Sequence, residues 1–257
     1  MSAPLPAYRV LPPERGYEWL VQGFRLFQRQ PMLWIVMVLV WGFLAVVVMF
    51  VPVVSIASPL LMPLMLAGLM VGSAHLAHGR PMEFGHLFTG FHKPIPLLMA
   101  GLPLVLTQIV IGLLLAGVLL TFLGGWLFSS DFQLLLAGKR DIVEVLYEIG
   151  FASLYTLLMT TLVGTLLYMV VWFGLCLAPA LIILGRLEPG VAVKASFRAV
   201  FANWLPWTIY GIASLLLVLL SLLTLGLGLL VLYPVTFASF YAAYRDIFPE
   251  LPEYLES

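Results

Sequence analysis

Charge is scarce in this chain. Only 9% of its 257 residues are charged while 63% are hydrophobic, whereas a soluble domain carries about 25% charged residues. Such a composition cannot supply a water-facing surface, so the chain belongs in a bilayer. Net charge is absent too: 12 basic and 12 acidic residues balance, leaving no basic footprint for nucleic acid and no partner selected by bulk charge. With one cysteine, Cys176, an intramolecular disulfide and a thiolate metal cluster are both excluded. Inside an apolar run it reads as a small buried hydrophobe. The opening stretch MSAPLPAYRVLPPERGYEWL lacks the basic start and unbroken apolar centre of a signal peptide, so insertion is expected to rely on the spans themselves. No phosphate-cradling glycine motif occurs. TLGLGLL, around Gly226 and Gly228, follows no strand and reads as a hairpin turn.

What is present is a repeated pattern, clearest from Gly190 to Arg245. GVAVKASFRAVFANW sets Val193, Phe197, Val200, Phe201 and Trp204 at helical spacing, with Lys194 and Arg198 off that face. That is an amphipathic interfacial helix. A charge-free run to Tyr244 follows, about twice the roughly 20 residues of one crossing. It predicts a hairpin turning at Thr224, Leu225 and Gly226, with Pro234 in its second arm. The same layout is found twice upstream. Residues 16–78 give a helix with Leu20, Phe24 and Phe27 on one face, a span from Leu33 to Val51, a turn at Pro52 to Pro59 and a return from Leu60 to His75 carrying Pro63. Gly68 and Gly72 on that return form a GxxxG pair, which lets a neighbouring helix approach closely. Residues 79–186 give a weaker amphipathic helix with Phe84, Leu87, Phe88 and Phe91 on one face, a span from Ile95 to Leu123, an outer insertion over 129–150 and a return over 151–185 carrying Pro179. Within the insertion, Ser130 with Gln133 suggests a capping box, Gly138 a stop, and Asp141 a second short helix ending at Gly150, with Ile142, Val145, Leu146 and Ile149 on one face. Residues 187–245 are the third unit, and 1–15 and 246–257 read as solvated tails.

The expected fold is therefore an all-α polytopic membrane protein. It has six transmembrane helices arranged as three hairpins, each preceded by a cytoplasmic interfacial amphipathic helix. Six crossings put both termini on one side, with Arg9, Arg15, Arg25, Arg29, Arg80, Lys93, Arg186, Lys194, Arg198 and Arg245 there and only Lys139 and Arg140 opposite. The positive-inside rule makes the terminus side cytoplasmic. Four acidic residues, Asp131, Asp141, Glu144 and Glu148, share the outer insertion. Trp19, Trp34, Trp204, Trp207, Tyr241 and Tyr244 fall near the cytoplasmic boundary, as an aromatic belt does.

No catalytic constellation is found, and neither an enzyme nor a cofactor is expected. His75, His78, His86, His92 and Glu83 lack a tight metal-ligand spacing and read as an interfacial polar loop. No ionisable side chain lies within a span, which argues against ion-coupled transport. The deepest polar residues are neutral: Thr107, Gln108 and the row Thr156, Thr160, Thr161 and Thr165. They fit either a polar path for a solute or local hydrogen bonding between helices and to the backbone. The basic residues Arg25, Arg29, Arg80, Lys93, Arg186, Lys194, Arg198 and Arg245 are candidates for lipid headgroups, since each cation near an anionic leaflet contributes about 1 kcal/mol.

KASFRAVFANWLPW followed by a hairpin ending YPVTFASFYAAYRDIF resembles a group of bacterial six-helix integral membrane proteins of unknown function. It is also similar to the membrane domain ahead of the catalytic barrel in membrane-anchored glycerophosphodiester phosphodiesterases. Lys194, Ser196, Phe197, Asn203, Pro206, Pro234, Tyr241, Tyr244 and Arg245 carry the resemblance. It implies a membrane module that is elsewhere fused to lipid chemistry. The 257 residues hold no soluble segment long enough for such a barrel, so phosphodiesterase activity is not expected. The leading expectation is a non-enzymatic lipid-interacting scaffold or accessory subunit, with membrane lipids and other membrane-protein subunits as partners. The alternative is passive transport of a lipid or small neutral solute along the threonine row.

Overall fold

The computed structural model describes residues 5–50, 52–139 and 141–255. Helices take up 79% of the chain and no strand occurs among the described residues, as expected where lipid offers the backbone no hydrogen-bond partner. The elements are α1 (Arg15–Arg29), α2 (Pro31–Met49), α3 (Pro52–Ala77), a 3-10 helix (Phe84–Phe91), α4 (Pro94–Leu127), α5 (Ser130–Leu136), α6 (Ile142–Gly174), α7 (Ala178–Ile183), α8 (Pro189–Ala202), α9 (Trp204–Leu223) and α10 (Leu229–Ile247). Among the described residues, five stretches are long and apolar enough to cross a bilayer: Pro31–Val48, Ser58–Ala77, Pro94–Leu127, Ser153–Ile183 and Trp204–Leu223. The chain forms two compact units, Met1–Leu102 with Phe173–Ser257, and Pro103–Trp172.

In the first unit α10 packs against α1, α2, α3 and α9. Its buried face includes Val235, Ala238, Ser239, Ala242 and Ala243. A helix covered by protein on several sides needs less apolar side chain than one facing lipid. For that reason α10, with small residues throughout and Arg245 in its last turn, falls outside the five apolar stretches. Two glycines bring α1 against the hairpin. A Cβ at Gly16 would stand 1.9 Å from the Pro206 carbonyl oxygen, and one at Gly23 would stand 2.3 Å from Ser239 Oγ and 2.6 Å from the Val235 oxygen. The buried face of α1 is Gly16, Trp19, Leu20, Gly23, Leu26 and Phe27, and Phe24 is exposed. Trp207 lies among aromatic rings, with centroids 4.7 Å from Trp19, 4.9 Å from Phe173 and 5.4 Å from Tyr210.

The Gly68–Gly72 pair receives a segment of its own chain. A Cβ at Gly68 would stand 2.4 Å from the His86 oxygen and one at Gly72 2.6 Å from Met82 Cε, and a Cβ at Gly90 would meet the Leu64 oxygen at 2.2 Å. The 3-10 helix is thereby seated on α3 with Leu87 and Gly90 inward. The close approach that small residues permit is used here inside the chain rather than between chains.

Several local expectations differ from what is observed. The Pro52 to Pro59 stretch is not a turn: α3 starts at Pro52 and runs through Pro59 and Pro63, and proline is well tolerated in a first helical turn. For the return over 151–185, which by its sequence could be one long tilted helix or be broken near Pro179, the break is what is found: α6 ends at Gly174 and α7 starts at Ala178 with Pro179 in its first turn. Proline cannot continue the donor ladder of the helix before it. The aromatic rings expected to form a belt are mostly interior. Trp19, Trp34, Trp207, Tyr241 and Tyr244 are buried in protein, while Trp204 is exposed. Neither end is wholly a solvated tail. Asn203 accepts from the Leu11 amide at 2.8 Å and donates to the Arg9 carbonyl at 2.9 Å, and the Arg9 amide donates to Ile247 at 2.8 Å. Beyond α10, Phe248 is fully buried.

The second unit comprises α4 from Pro103, α5, and α6 to Trp172. At 34 and 33 residues, α4 and α6 are each about 50 Å long, well beyond the roughly 30 Å of hydrocarbon. They approach at Gly164, where a Cβ would meet Ile111 Cγ2 at 2.9 Å. Leu113, Leu120, Val163 and Leu166 are exposed, as side chains facing lipid are. Ser129, not Ser130, caps α5, accepting from the Phe132 amide at 3.2 Å, and Gly138 stops it with φ of 65°, a left-handed conformation that glycine adopts without steric cost. Gly150 does not stop a helix: α6 runs through it. Interior glycine costs about 1 kcal/mol, too little to end a helix with apolar residues on both sides. Arg140 lies outside the described residues, as do the side chains of Asp131, Ile142, Glu144, Val145, Leu146, Glu148 and Ile149.

Candidate functional site

Basic side chains gather where α1, α3 and α10 meet. Arg25 and Arg29 are one turn apart on α1, and Arg245 sits in the last turn of α10. With Gln22, His78 and Tyr241 they line a cavity of about 390 Å³. Arg29 also donates to the Leu76 carbonyl at the end of α3, which places a cation at the negative end of that helix dipole. The other five basic candidates, Arg80, Lys93, Arg186, Lys194 and Arg198, are exposed and do not line this cavity. Arg186 lies 4.3 Å over the Tyr254 ring.

Glu253 completes the cluster, and sequence periodicity gave no sign of it. It comes from the segment after α10, its side chain is 4% exposed, and it stands 3.5 Å from Arg245 Nε and 3.6 Å from His78 Nε2. Tyr241 donates its hydroxyl to the second carboxylate oxygen at 3.2 Å. Burial raises the Glu253 carboxyl above its usual range, and Arg245, the Tyr241 bond and His78 oppose that shift. Three arginines against one carboxylate leave the cavity cationic, which suits a phosphate-bearing group with several acceptor oxygens.

The remaining candidates are dispersed. His75 and His86 pack ring to ring at 4.3 Å, and the His86 imidazole is held below its usual value by burial first and by His75 second. His86 forms a capping box with Glu83 at the start of the 3-10 helix. No group of three or more metal-ligating side chains occurs among the described residues. Thr161, Thr165 and Gln108 are exposed, Thr156 and Thr160 are half-buried, and none of them lines either of the two main cavities. Thr107 donates to the Pro103 carbonyl one turn back at 2.8 Å, the local hydrogen bonding open to such residues.

A second cavity lies on another side of α1. It is apolar, about 620 Å³, and lined by Tyr17, Val21 and Phe24 from α1 and by leucines and valines of α9 and α10. On the amphipathic segments several large aromatics stay outside although Trp19 and Phe27 of α1 are buried, and on α8 small residues face the protein. Phe24, Phe84, Phe88, Phe91, Phe201 and Trp204 are exposed, and Ala192, Ala195 and Ala199 of α8 are buried.

No family model, no curated protein and no solved structure matches this chain.

Proposed function

We propose that this protein is a non-enzymatic, multi-pass protein of a bacterial inner membrane. It binds anionic phospholipid through Arg25, Arg29 and Arg245 and acts as a lipid-interacting scaffold or accessory subunit. The observation that carries this reading is the convergence of three arginines on one cavity beside α1, whose exposed surface also carries the aromatic rings of Tyr17 and Phe24. Aromatic rings beside cations suit the headgroup level, where an apolar body and a polar surface are both satisfied. In this reading α10 is the sixth crossing: its 19 residues span about 28 Å. The chain then traverses the bilayer as three hairpins with both termini cytoplasmic, and α1, the 3-10 helix and α8 lie on the cytoplasmic leaflet. The membrane-module resemblance of the third unit is a further part of the proposal.

The test is purification in mild detergent with mass spectrometry of retained lipids and proteins. The wild-type protein is expected to retain anionic lipid over zwitterionic lipid. The double variant Arg25→Ala, Arg29→Ala should lose roughly 30-fold in that preference, from about 1 kcal/mol per cation. A wild-type protein that comes through alone, without lipid or partner, would overturn the proposal.

A further inference from the structure

The two carboxylates that reach the end of α10 are held very differently. Asp246 meets Arg15 at 2.6 and 2.7 Å and accepts from the Trp19 indole at 2.9 Å. These are the short, bidentate contacts of a structural pair. The Glu253 side chain is more deeply buried, at 4% exposure, yet its ionic neighbours stand at 3.5 and 3.6 Å. Its Oε1 is shielded from solvent and accepts no hydrogen bond. A buried carboxylate oxygen without a donor has given up hydration for little return. The segment that brings it there is attached by the Tyr254 amide to the Leu184 carbonyl at 2.9 Å, by the Leu251 carbonyl accepting from Arg245 at 3.5 Å and by Tyr254 beneath Arg186.

We infer that Glu253 is an internal stand-in for the anion, competing with a phosphate-bearing ligand for Arg245, so that ligand binding displaces Glu253 and frees the segment after α10. The inference rests on the reading of the arginine cavity given above. A phosphodiester carries the same single negative charge as a carboxylate but presents two bridging oxygens besides its two non-bridging ones, and so more acceptors for several guanidinium groups. It can engage Arg245 together with Arg25 and Arg29, which line the same cavity, in the multi-donor geometry that favours guanidinium groups. The charged and titratable groups facing Glu253 are Arg245, Tyr241 and Tyr244 of α10 and His78 just after α3. On displacement, Arg245 exchanges one anion for another and Glu253 passes to water, so charge is conserved in the pocket and no proton need move.

The experiment measures binding of phosphatidylglycerol, phosphatidylcholine and inorganic phosphate to the full chain in neutral detergent, for the wild-type protein and Glu253→Gln. Removal of the competing carboxylate should tighten phosphatidylglycerol binding about fivefold, the scale of a partly exposed ion pair, and leave phosphatidylcholine unchanged. A gain shared by inorganic phosphate assigns a soluble phosphate source, and a gain confined to phosphatidylglycerol assigns the lipid; either supports displacement. Unchanged or weaker binding by Glu253→Gln would overturn it. If Arg25→Ala, Arg29→Ala still loses binding in that case, the cavity stands and only the competition fails. If that variant binds normally, the cavity assignment fails as well. As a check free of any substitution, hydrogen exchange over residues 249–255 of the wild-type protein should rise with phosphatidylglycerol, and no change would count against the inference.

Discussion

Leucine at Gly16 or Gly23 (Gly16→Leu, Gly23→Leu) is expected to destabilise the first unit by roughly 3 kcal/mol or more in each case. Overpacking in a close-packed interior typically costs 1–3 kcal/mol. Here the obstacle is largely backbone, since even a Cβ would stand 1.9 Å from the Pro206 oxygen or 2.6 Å from the Val235 oxygen. Backbone held within a packed helix cannot swing away as a flexible side chain can. The helix must lift, which exposes Trp19 and Phe27 from its buried face. In detergent the unfolding midpoint should fall by about 6–12 °C, at 2–4 °C per kcal/mol for a chain of this size. Gly42→Leu is the control, because nothing lies within 4 Å of a Cβ at Gly42, and its midpoint should hardly move. Equal midpoints for all three variants would refute the close seating of α1.

Asp246→Ala is expected to cost about 3 kcal/mol. Asp246 is 17% exposed and its partner Arg15 29%, so the pair is partly desolvated and worth more than a surface bridge, though less than a fully buried one. The alanine variant also strands the Trp19 indole N–H, and Trp19 has no exposure at all; an unsatisfied buried donor costs about 1–3 kcal/mol. Asp246→Asn keeps an acceptor for the indole and should lose about half as much. Thermal unfolding of the two variants, followed by tryptophan fluorescence, separates these contributions. If the asparagine and alanine variants prove equally stable, the indole bond adds nothing.

How much was legible in the sequence follows from the range of each interaction. Length and hydrophobicity act within a segment, so the apolar spans, the hairpin turn near Gly226 with its φ of 84° and the stop at Gly138 could be read directly. Rotation about a helix axis could not. The spacing of Leu20, Phe24 and Phe27 marked an apolar stripe on α1, but what packs is centred on Gly16, Trp19 and Gly23, because close approach is set by small residues on facing surfaces. The site was half legible in the same way. Arg25 and Arg29 stand out as cations on an amphipathic helix. Their company with Arg245 and Glu253 depends on residues far apart in the chain, just as Arg15 meets Asp246 across 231 positions and Asn203 meets Leu11 across 192. Periodicity sees only neighbours within about one helical turn. The third unit was distinctive for a physical reason that emerges from these contacts. Ser196 donates to the Gly174 carbonyl at 2.6 Å, Asn203 holds residues 9–11, the Pro206 carbonyl lies against Gly16, and Tyr241 and Arg245 hold Glu253. Of these, Asn203, Tyr241 and Arg245 tie the chain ends to the bundle.

Side-specific labelling tests the central claim, an even number of crossings with α10 as the last, most directly. In a Cys176→Ala background, single cysteines would be introduced as Val10→Cys, Lys139→Cys, Leu225→Cys and Glu250→Cys, all at exposed positions, and probed with a membrane-impermeant maleimide. In intact cells Lys139→Cys and Leu225→Cys should label, while Val10→Cys and Glu250→Cys should label only after the membrane is opened. Labelling of Val10→Cys and Glu250→Cys from opposite sides would contradict the account.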